Sequence, residues 1–192
     1  MRDTLVLASA SPRRALILRG LGVAFRVVVS NVDEVLVPGE APEAAVVRFA
    51  REKAQAVAAR ETVPVLGADT VVVIDGRILG KPRSVEDAVS MLTTLAGREH
   101  QVLTGVCLMA GGRAYDGVDR TIVRFAEMSA LEIAAYVATG EPMDKAGAYH
   151  IHGRGALFVT EVQGSPSNVA GLPVRLVYAL AREAGLDFGA SS

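Results

Sequence analysis

The sequence predicts an α/β protein built on a mixed β-sheet flanked by helices. Three observations carry this reading. Leu5-Val6-Leu7-Ala8 is a short apolar run that passes through Ser9-Ala10-Ser11-Pro12 straight into a helix start. Pro42 to Arg60 carries apolar residues at helical spacing, Val46, Phe49, Ala50, Ala54 and Val57. Two β-rich stretches turn back on themselves at Asp75-Gly76 and Gly111-Gly112, both hairpin signals. Strand–helix–strand units pair in parallel and hairpins pair antiparallel, so their combination implies a sheet of mixed direction. The 192 residues suit one domain spanning 1–192 with room for a substantial core.

Each element follows from local chemistry. After the first strand, Ser11 is a natural N-cap and Pro12 a natural first helical residue, with Gly20 as the stop. Phe25 to Val29 reads as a second strand, followed by a polar loop with Asn31, Asp33 and Glu34. Val71 to Ile74 is β-branched throughout and reads as strand; Arg77 to Leu79 returns after the turn, and Gly80-Lys81-Pro82 ends the pairing. That hairpin is expected to bring Lys81 back to the level of Asp69. Ser84 caps a helix through about Ala96, with Asp87 three residues on. Gln101 to Ala110 and Arg113 to Met128 form two long strands. Ser129 caps a helix, with Glu132 three residues on, that ends at Gly140. Pro142 to Gly155 is a Gly- and Ala-rich loop holding Asp144, Lys145, Tyr149, His150 and His152, with the length and composition of a functional loop. Ala156 to Val162 is read as strand, Leu172 to Ala184 as the last helix, and Gly189 to Ser192 as a fraying end.

Composition removes several function classes. Apolar residues make up 51% and charged residues 21%, a foldable globular balance. A net charge of −1 gives no field favouring nucleic acid or an acidic membrane surface, and the absence of Trp argues against a base-stacking platform. No run approaches membrane-spanning length, and the first residues lack a signal peptide's apolar region. Cys107 sits in an apolar run and is expected as a buried core thiol; a lone cysteine allows no internal disulfide, which suits a reducing, cytoplasmic setting.

Two stretches carry candidate chemistry. Ser9-Ala10-Ser11-Pro12-Arg13-Arg14 puts two arginines in the first turn of a helix, where the helix dipole opposes cations unless an anion binds. Arg also matches phosphate through its planar fork. Gly67 to Pro82 places Asp69 and Thr70 on a strand and Lys81 beyond its hairpin. Lys53 falls seven residues after Val46, on the buried stripe of its helix, where it either snorkels to the rim or reaches an anion in a cleft. Asp33, Glu34 and Asp69 are acids near strand ends; mixed with these cations they suggest a divalent metal bound together with phosphate oxygens. There is no Walker motif, zinc-binding His motif or nucleophilic Ser elbow.

Ser9 to Arg14, Gly67-Ala68-Asp69-Thr70, Leu79-Gly80-Lys81-Pro82, Gly140-Glu141-Pro142, Asp144 to Tyr149 and Asn168 to Pro173 together resemble the Maf family of nucleoside triphosphate pyrophosphatases, in register over nearly the whole chain. The resemblance implies an elongated α/β fold with a mixed twisted sheet and two lobes about a central cleft, related to inosine triphosphate pyrophosphatases. It also implies a homodimer, a divalent cation (Mg²⁺ or Mn²⁺), and cleavage of a nucleoside triphosphate to monophosphate and pyrophosphate. By the same resemblance Asp69 is the general base, and Asp69 and Glu34 hold the metal. Ser9, Arg13, Arg14, Lys53 and Lys81 handle phosphates. Arg13 and Thr70 match the subfamily that acts on dTTP and UTP, while His152 stands where that subfamily has Gln, in Tyr149-His150-Ile151-His152-Gly153. The alternatives are a purine-directed enzyme of the same chemistry, or a nucleotide-binding regulator of septum formation with little turnover.

Overall fold

The computed structural model of the chain describes residues 5–188, so the end expected to fray lies outside them. Its strands are β1 (Leu5–Leu7), β2 (Phe25–Val27), β3 (Val65–Ile74), β4 (Arg77–Leu79), β5 (Glu99–Ala110), β6 (Arg113–Phe125) and β7 (Val159–Gln163). Its helices are α1 (Pro12–Gly20), α2 (Pro42–Ala58), α3 (Val85–Leu95), α4 (Ala130–Val137), α5 (Pro166–Val169) and α6 (Val174–Glu183). The strands form one seven-stranded sheet in the order β2-β1-β3-β5-β6-β7, with β4 paired to β3. β1 runs parallel to β2 and to β3, whereas β3–β4 and β6–β7 are antiparallel, so the sheet is mixed as the sequence predicts. No helix among the described residues is long and apolar enough to cross a membrane.

The chain divides into two compact units. One holds residues through Asp69, Thr104–Asp119 and the chain from Gly171 on; the other holds Thr70–Leu103 and Arg120–Ala170. β3 passes from one to the other between Asp69 and Thr70.

In the first unit both faces of β1 and β3 are buried, which is why their sequences read as continuous apolar runs rather than alternating ones. Leu5, Leu7, Leu66 and Ala68 pack with Leu18 of α1 and Val177 of α6. Val6, Ala8 and Val65 pack with Ala50, Ala54 and Val57 of α2, joined by Cys107. Burial pushes the Cys107 thiol up to about 12, so it is an inert core residue, as expected. Gly67 lies on the α2 face of β3 and lets the helix approach. A Cβ there would stand 2.3 Å from the carbonyl oxygen of Ala50 and 2.9 Å from the amide nitrogen of Ala54. Because the obstacle is helix backbone, Gly67→Ala is expected to destabilise the fold by about 3 kcal/mol, the upper range for overpacking. A urea unfolding midpoint close to the parent's would show that α2 can shift without cost.

In the second unit Val72, Ile74, Leu92, Leu95, Phe125, Tyr136 and Tyr149 share one core. Asp75 and Gly76 both take positive φ, 51° and 72°, as a tight two-residue hairpin requires. Val72 pairs with Leu79 and Ile74 with Arg77. Continued by two residues that register would set Lys81 opposite Thr70, next to Asp69 in the chain, but the ladder ends at Leu79. The Ser84 cap and the reciprocal capping box of Ser129 and Glu132 form as expected.

Several expectations change, among them the ends of β2 and β6, which stop at Val27 and Phe125 rather than Val29 and Met128. Ser11 occupies the N-cap of α1 but makes no side-chain cap, and its backbone N–H donates to Ser9 Oγ. The loop expected over Pro142 to Gly155 is largely wound into short 3₁₀ turns, Glu141–Asp144, Ala146–Ala148 and Arg154–Phe158. The last of these takes the residues expected to open the following strand, so β7 starts at Val159 and not at Ala156. The final helix begins at Val174 rather than Leu172, preceded by the one-turn α5 that Ser165 caps by accepting from the Asn168 N–H.

Candidate active site

Ser9, Arg14, Lys53 and Asp69 are buried polar residues of the first unit, as is Thr104; Ser9 lies just past β1, Asp69 is in the middle of β3, and Arg14 and Lys53 come from the helices α1 and α2. β1 ends at Leu7, so Ser9 lies just past it, and α1 carries Arg13 and Arg14 in its first turn. Arg14 turns inward. Its Nε donates to the carbonyl oxygen of Gly171 at 2.8 Å and its Nη1 to Ser9 Oγ at 3.0 Å. Burial, and then the neighbouring charge of Arg13, lower the Arg14 pKa; Asp69 and Glu34 oppose this. The side chain is therefore both a structural tie and a cation held within reach of acids.

Asp69 projects from the α2 face of β3, and Lys53 meets it from the buried stripe of α2. Lys53 Nζ donates to Asp69 Oδ1 at 2.6 Å and to Glu34 Oε1 at 2.5 Å. The side chains of Lys53 and Asp69 are 10% and 7% exposed, against 48% for Glu34, so a buried pair is closed on one side by an accessible acid. Lys53 thus neither snorkels nor faces an open anion site in this structure: two carboxylates converge on its ammonium. Burial raises the Asp69 pKa most, and the charge of Glu34 adds to it, while Lys53 and Arg14 pull it down; the net direction is up. A carboxyl group held above its ordinary range is a stronger proton acceptor than a solvated one.

Glu34 is brought in by contacts that its own sequence context does not reveal. Arg48 of α2 donates to both carboxylate oxygens of Glu40, at 2.8 and 2.6 Å, and to the carbonyl oxygen of Val35 at 3.0 Å. The loop is thereby tied to the helix that carries Lys53. Asp33, the neighbouring acid, is exposed.

Among the described residues no group of three or more His, Cys, Asp or Glu side chains could hold a metal ion. Asp69 and Glu34 do fit a hard divalent cation in another way. Their oxygens already meet on one positive centre, Lys53 Nζ, and Mg²⁺ takes one or two carboxylates with the rest of its shell from phosphate and water.

The structure therefore brings Ser9, Arg14, Glu34, Lys53 and Asp69 together, with Arg13 half-buried on the same helix turn. Thr70, Lys81 and His152 belong to the second unit. Thr70 follows Asp69 on β3 and points to the opposite face. Lys81 is exposed, without an ion pair among the described residues. His152 is exposed on its loop, its ring 6.2 Å from that of His150 and nearly perpendicular to it. Two residues of the Asn168 to Pro173 motif have a role that the sequence does not show. Gly171 lends its carbonyl to Arg14, and Asn168, in the same motif, is fully buried with its Nδ2 donating to the Val102 carbonyl and to Thr121 Oγ1, both at 3.0 Å.

A family model described as "Maf-like protein" matches residues 4–184. A "dTTP/UTP pyrophosphatase" of Anaeromyxobacter dehalogenans strain 2CP-C is 52% identical over 189 residues, covering 96% of each chain. Another of that name from Anaeromyxobacter sp. strain Fw109-5 is 54% identical over 190 residues, 96% of this chain and 91% of that one. Among solved structures, a nucleoside-triphosphatase, or dITP/XTP pyrophosphatase, from Mycobacterium abscessus overlaps 65% of this chain and 73% of its own. At 16% identity and a TM-score of 0.40, that overlap carries no weight here. With the model matched almost end to end and half of all positions shared with full-length relatives, the chain belongs to the Maf-like family.

Proposed function

We propose that the chain hydrolyses dTTP and UTP, or modified pyrimidine triphosphates, to the monophosphate and pyrophosphate with the help of a divalent metal. One observation supports this above others: Asp69 and Glu34 share one buried ammonium beside an inward-turned Arg14, so a proton acceptor, a cation site and phosphate-matching donors stand together. The relatives named dTTP/UTP pyrophosphatase, at 52% and 54% identity, support the choice of substrate.

In this reading Asp69 takes a proton from the attacking water, whose oxygen bonds to the α-phosphorus as the bond to the bridging oxygen breaks and pyrophosphate leaves. Arg13, Arg14 and Lys53 hold phosphate oxygens and stabilise the charge that develops on them. Ser9 adds a hydroxyl at the helix start, where free N–H groups favour an anion. Asp69 and Glu34 would hold Mg²⁺ or Mn²⁺, which when bound neutralises phosphate charge and polarises the phosphoryl group. For nucleotide to enter, the ammonium of Lys53 has to leave at least one of its carboxylates. Thr70, Lys81 and His152 are carried into the proposal as substrate residues by family resemblance. The homodimer and the cytoplasmic setting belong to the same proposal.

The test is pyrophosphate release from UTP, dTTP, CTP and GTP, with Mg²⁺ and with Mn²⁺, for the parent and for His152→Gln. The parent should turn over UTP and dTTP fastest. Gln carries a donor and an acceptor on one carbon, whereas the two imidazole nitrogens lie on opposite sides of the ring. The substituted enzyme should therefore be about five- to tenfold more selective for UTP and dTTP, the worth of one hydrogen bond. Equal rates on all four nucleotides would remove the pyrimidine assignment. An unchanged selectivity profile in His152→Gln would remove His152 from base reading.

A further inference from the structure

We propose that Glu141 is a positioning residue, whose carboxylate closes the segment from Glu141 to Gly155 into one fixed loop and so sets where His150 and His152 stand. The inference rests on the reading above, in which that loop meets the base of the nucleotide.

Glu141 opens the 3₁₀ turn that follows α4, and its carboxylate reaches across to the far end of the loop. Oε1 accepts from the Tyr136 hydroxyl at 2.7 Å and from the Gly155 N–H at 3.1 Å. Oε2 accepts from the Arg154 N–H at 3.1 Å. The Tyr136 hydroxyl in turn accepts from the His150 N–H at 3.1 Å. One side chain therefore joins the start of the loop, its end, helix α4 and, through Tyr136, the residue two places before His152.

Two glycines support this independently. Neither Gly153 nor Gly155 has a positive φ, so neither is needed for backbone freedom. They are needed for space. A Cβ on Gly153 would lie 2.4 Å from Glu141 Oε2, and one on Gly155 would lie 2.7 Å from the Tyr136 hydroxyl and 2.8 Å from the His150 carbonyl oxygen. The backbone at both positions is shaped around the clamp.

The middle of the loop has a separate anchor. Tyr149 is buried, its hydroxyl 2.9 Å from His100 Nε2 and its ring edge-on to Phe125 with centroids 4.8 Å apart. The backbone from His150 to Gly153 thus runs between a core anchor and the Glu141 clamp, while the His152 side chain is left exposed. Burial raises the Glu141 pKa, but hydrogen bonds from Tyr136, Arg154 and Gly155, with the nearby His150, outweigh it and hold the group below the usual range. Glu141 is ionised at neutral pH, and its hydrogen bonds are of the stronger, charge-assisted kind.

The test uses the full chain with Glu141→Gln, Glu141→Ala and Gly153→Ala, whose new Cβ would displace the carboxylate. Amide hydrogen exchange at Arg154 and Gly155 is measured without nucleotide, together with kcat, KM and the UTP-to-CTP preference. In Glu141→Ala and Gly153→Ala the two amides should exchange about tenfold faster, and KM for UTP should rise about tenfold with kcat within a few-fold of the parent. The UTP-to-CTP preference should fall in step. Glu141→Gln, which keeps an acceptor for Tyr136, should lie between and remains informative if the alanine variant folds poorly. Unchanged exchange at both amides would overturn the clamp. Faster exchange with unaltered KM and preference would reduce Glu141 to a structural tie and overturn its positioning role. If the parent releases no pyrophosphate from any nucleotide, the catalytic reading fails by itself. UTP binding by calorimetry then decides between the same outcomes: weaker in the variants as proposed, or equal to the parent against it.

Discussion

Asp69→Asn is expected to lower pyrophosphate release from UTP by about 10²–10⁴-fold, the usual contribution of a general base, while UTP still binds measurably. Three features of the site combine to give this. Asp69 sits on a rigid strand, it is held by Lys53 at 2.6 Å, and burial raises its pKa. Asparagine keeps the size and an acceptor for Lys53 but cannot take a proton. The fold should survive, because Lys53 retains Glu34, an exposed partner that water also serves. Single-turnover rates with bound UTP separate the effects. A variant that keeps a tenth of the parental rate would remove Asp69 from the base role.

Lys53→Met should have the largest effect on stability. From sequence alone this change looks mild, since the methionine stem still covers the apolar stripe of α2. The structure reverses that expectation, because the ammonium is the buried partner of Asp69 and its loss leaves a buried carboxylate unpaired. Breaking such a pair costs about 3–5 kcal/mol. The double variant Lys53→Met with Asp69→Asn removes the orphaned charge and should regain much of that loss, so the two substitutions should be strongly non-additive. Urea unfolding midpoints of the parent, both single variants and the double variant, in metal-free buffer, measure the coupling. Additive effects would mean that the two side chains do not hold each other in solution.

How far the sequence led depended on the range of the interaction. Local chemistry was legible: Ser84 and Ser129 cap their helices, Asp75-Gly76 and Gly111-Gly112 turn their hairpins, and the α2 stripe is buried with Lys53 on it. What Lys53 does there was not legible, because its partners come from a loop 19 residues before it and a strand 16 residues after it. Glu34 reads as a solvated loop acid until Arg48 ties that loop to α2 through Glu40 and Val35. The turns between Glu141 and Phe158 have no periodic pattern to betray them. One carboxylate accepts from two amide groups 13 and 14 residues away, and the turn that begins there runs to Phe158, so β7 starts at Val159. Likewise Ser11 stands at the N-cap of α1 without a side-chain cap, and its N–H goes to Ser9 Oγ, in a cluster fastened by Arg14 to Gly171, 157 residues on.

In the proposed mechanism Asp69 and its neighbours direct water to the α-phosphorus. Turnover of UTP in ¹⁸O-labelled water, with mass analysis of both products, tests it most directly. One labelled oxygen is expected in the uridine monophosphate and none in the pyrophosphate. Label in the pyrophosphate, or release of orthophosphate in its place, would put the attack at another phosphorus and contradict it.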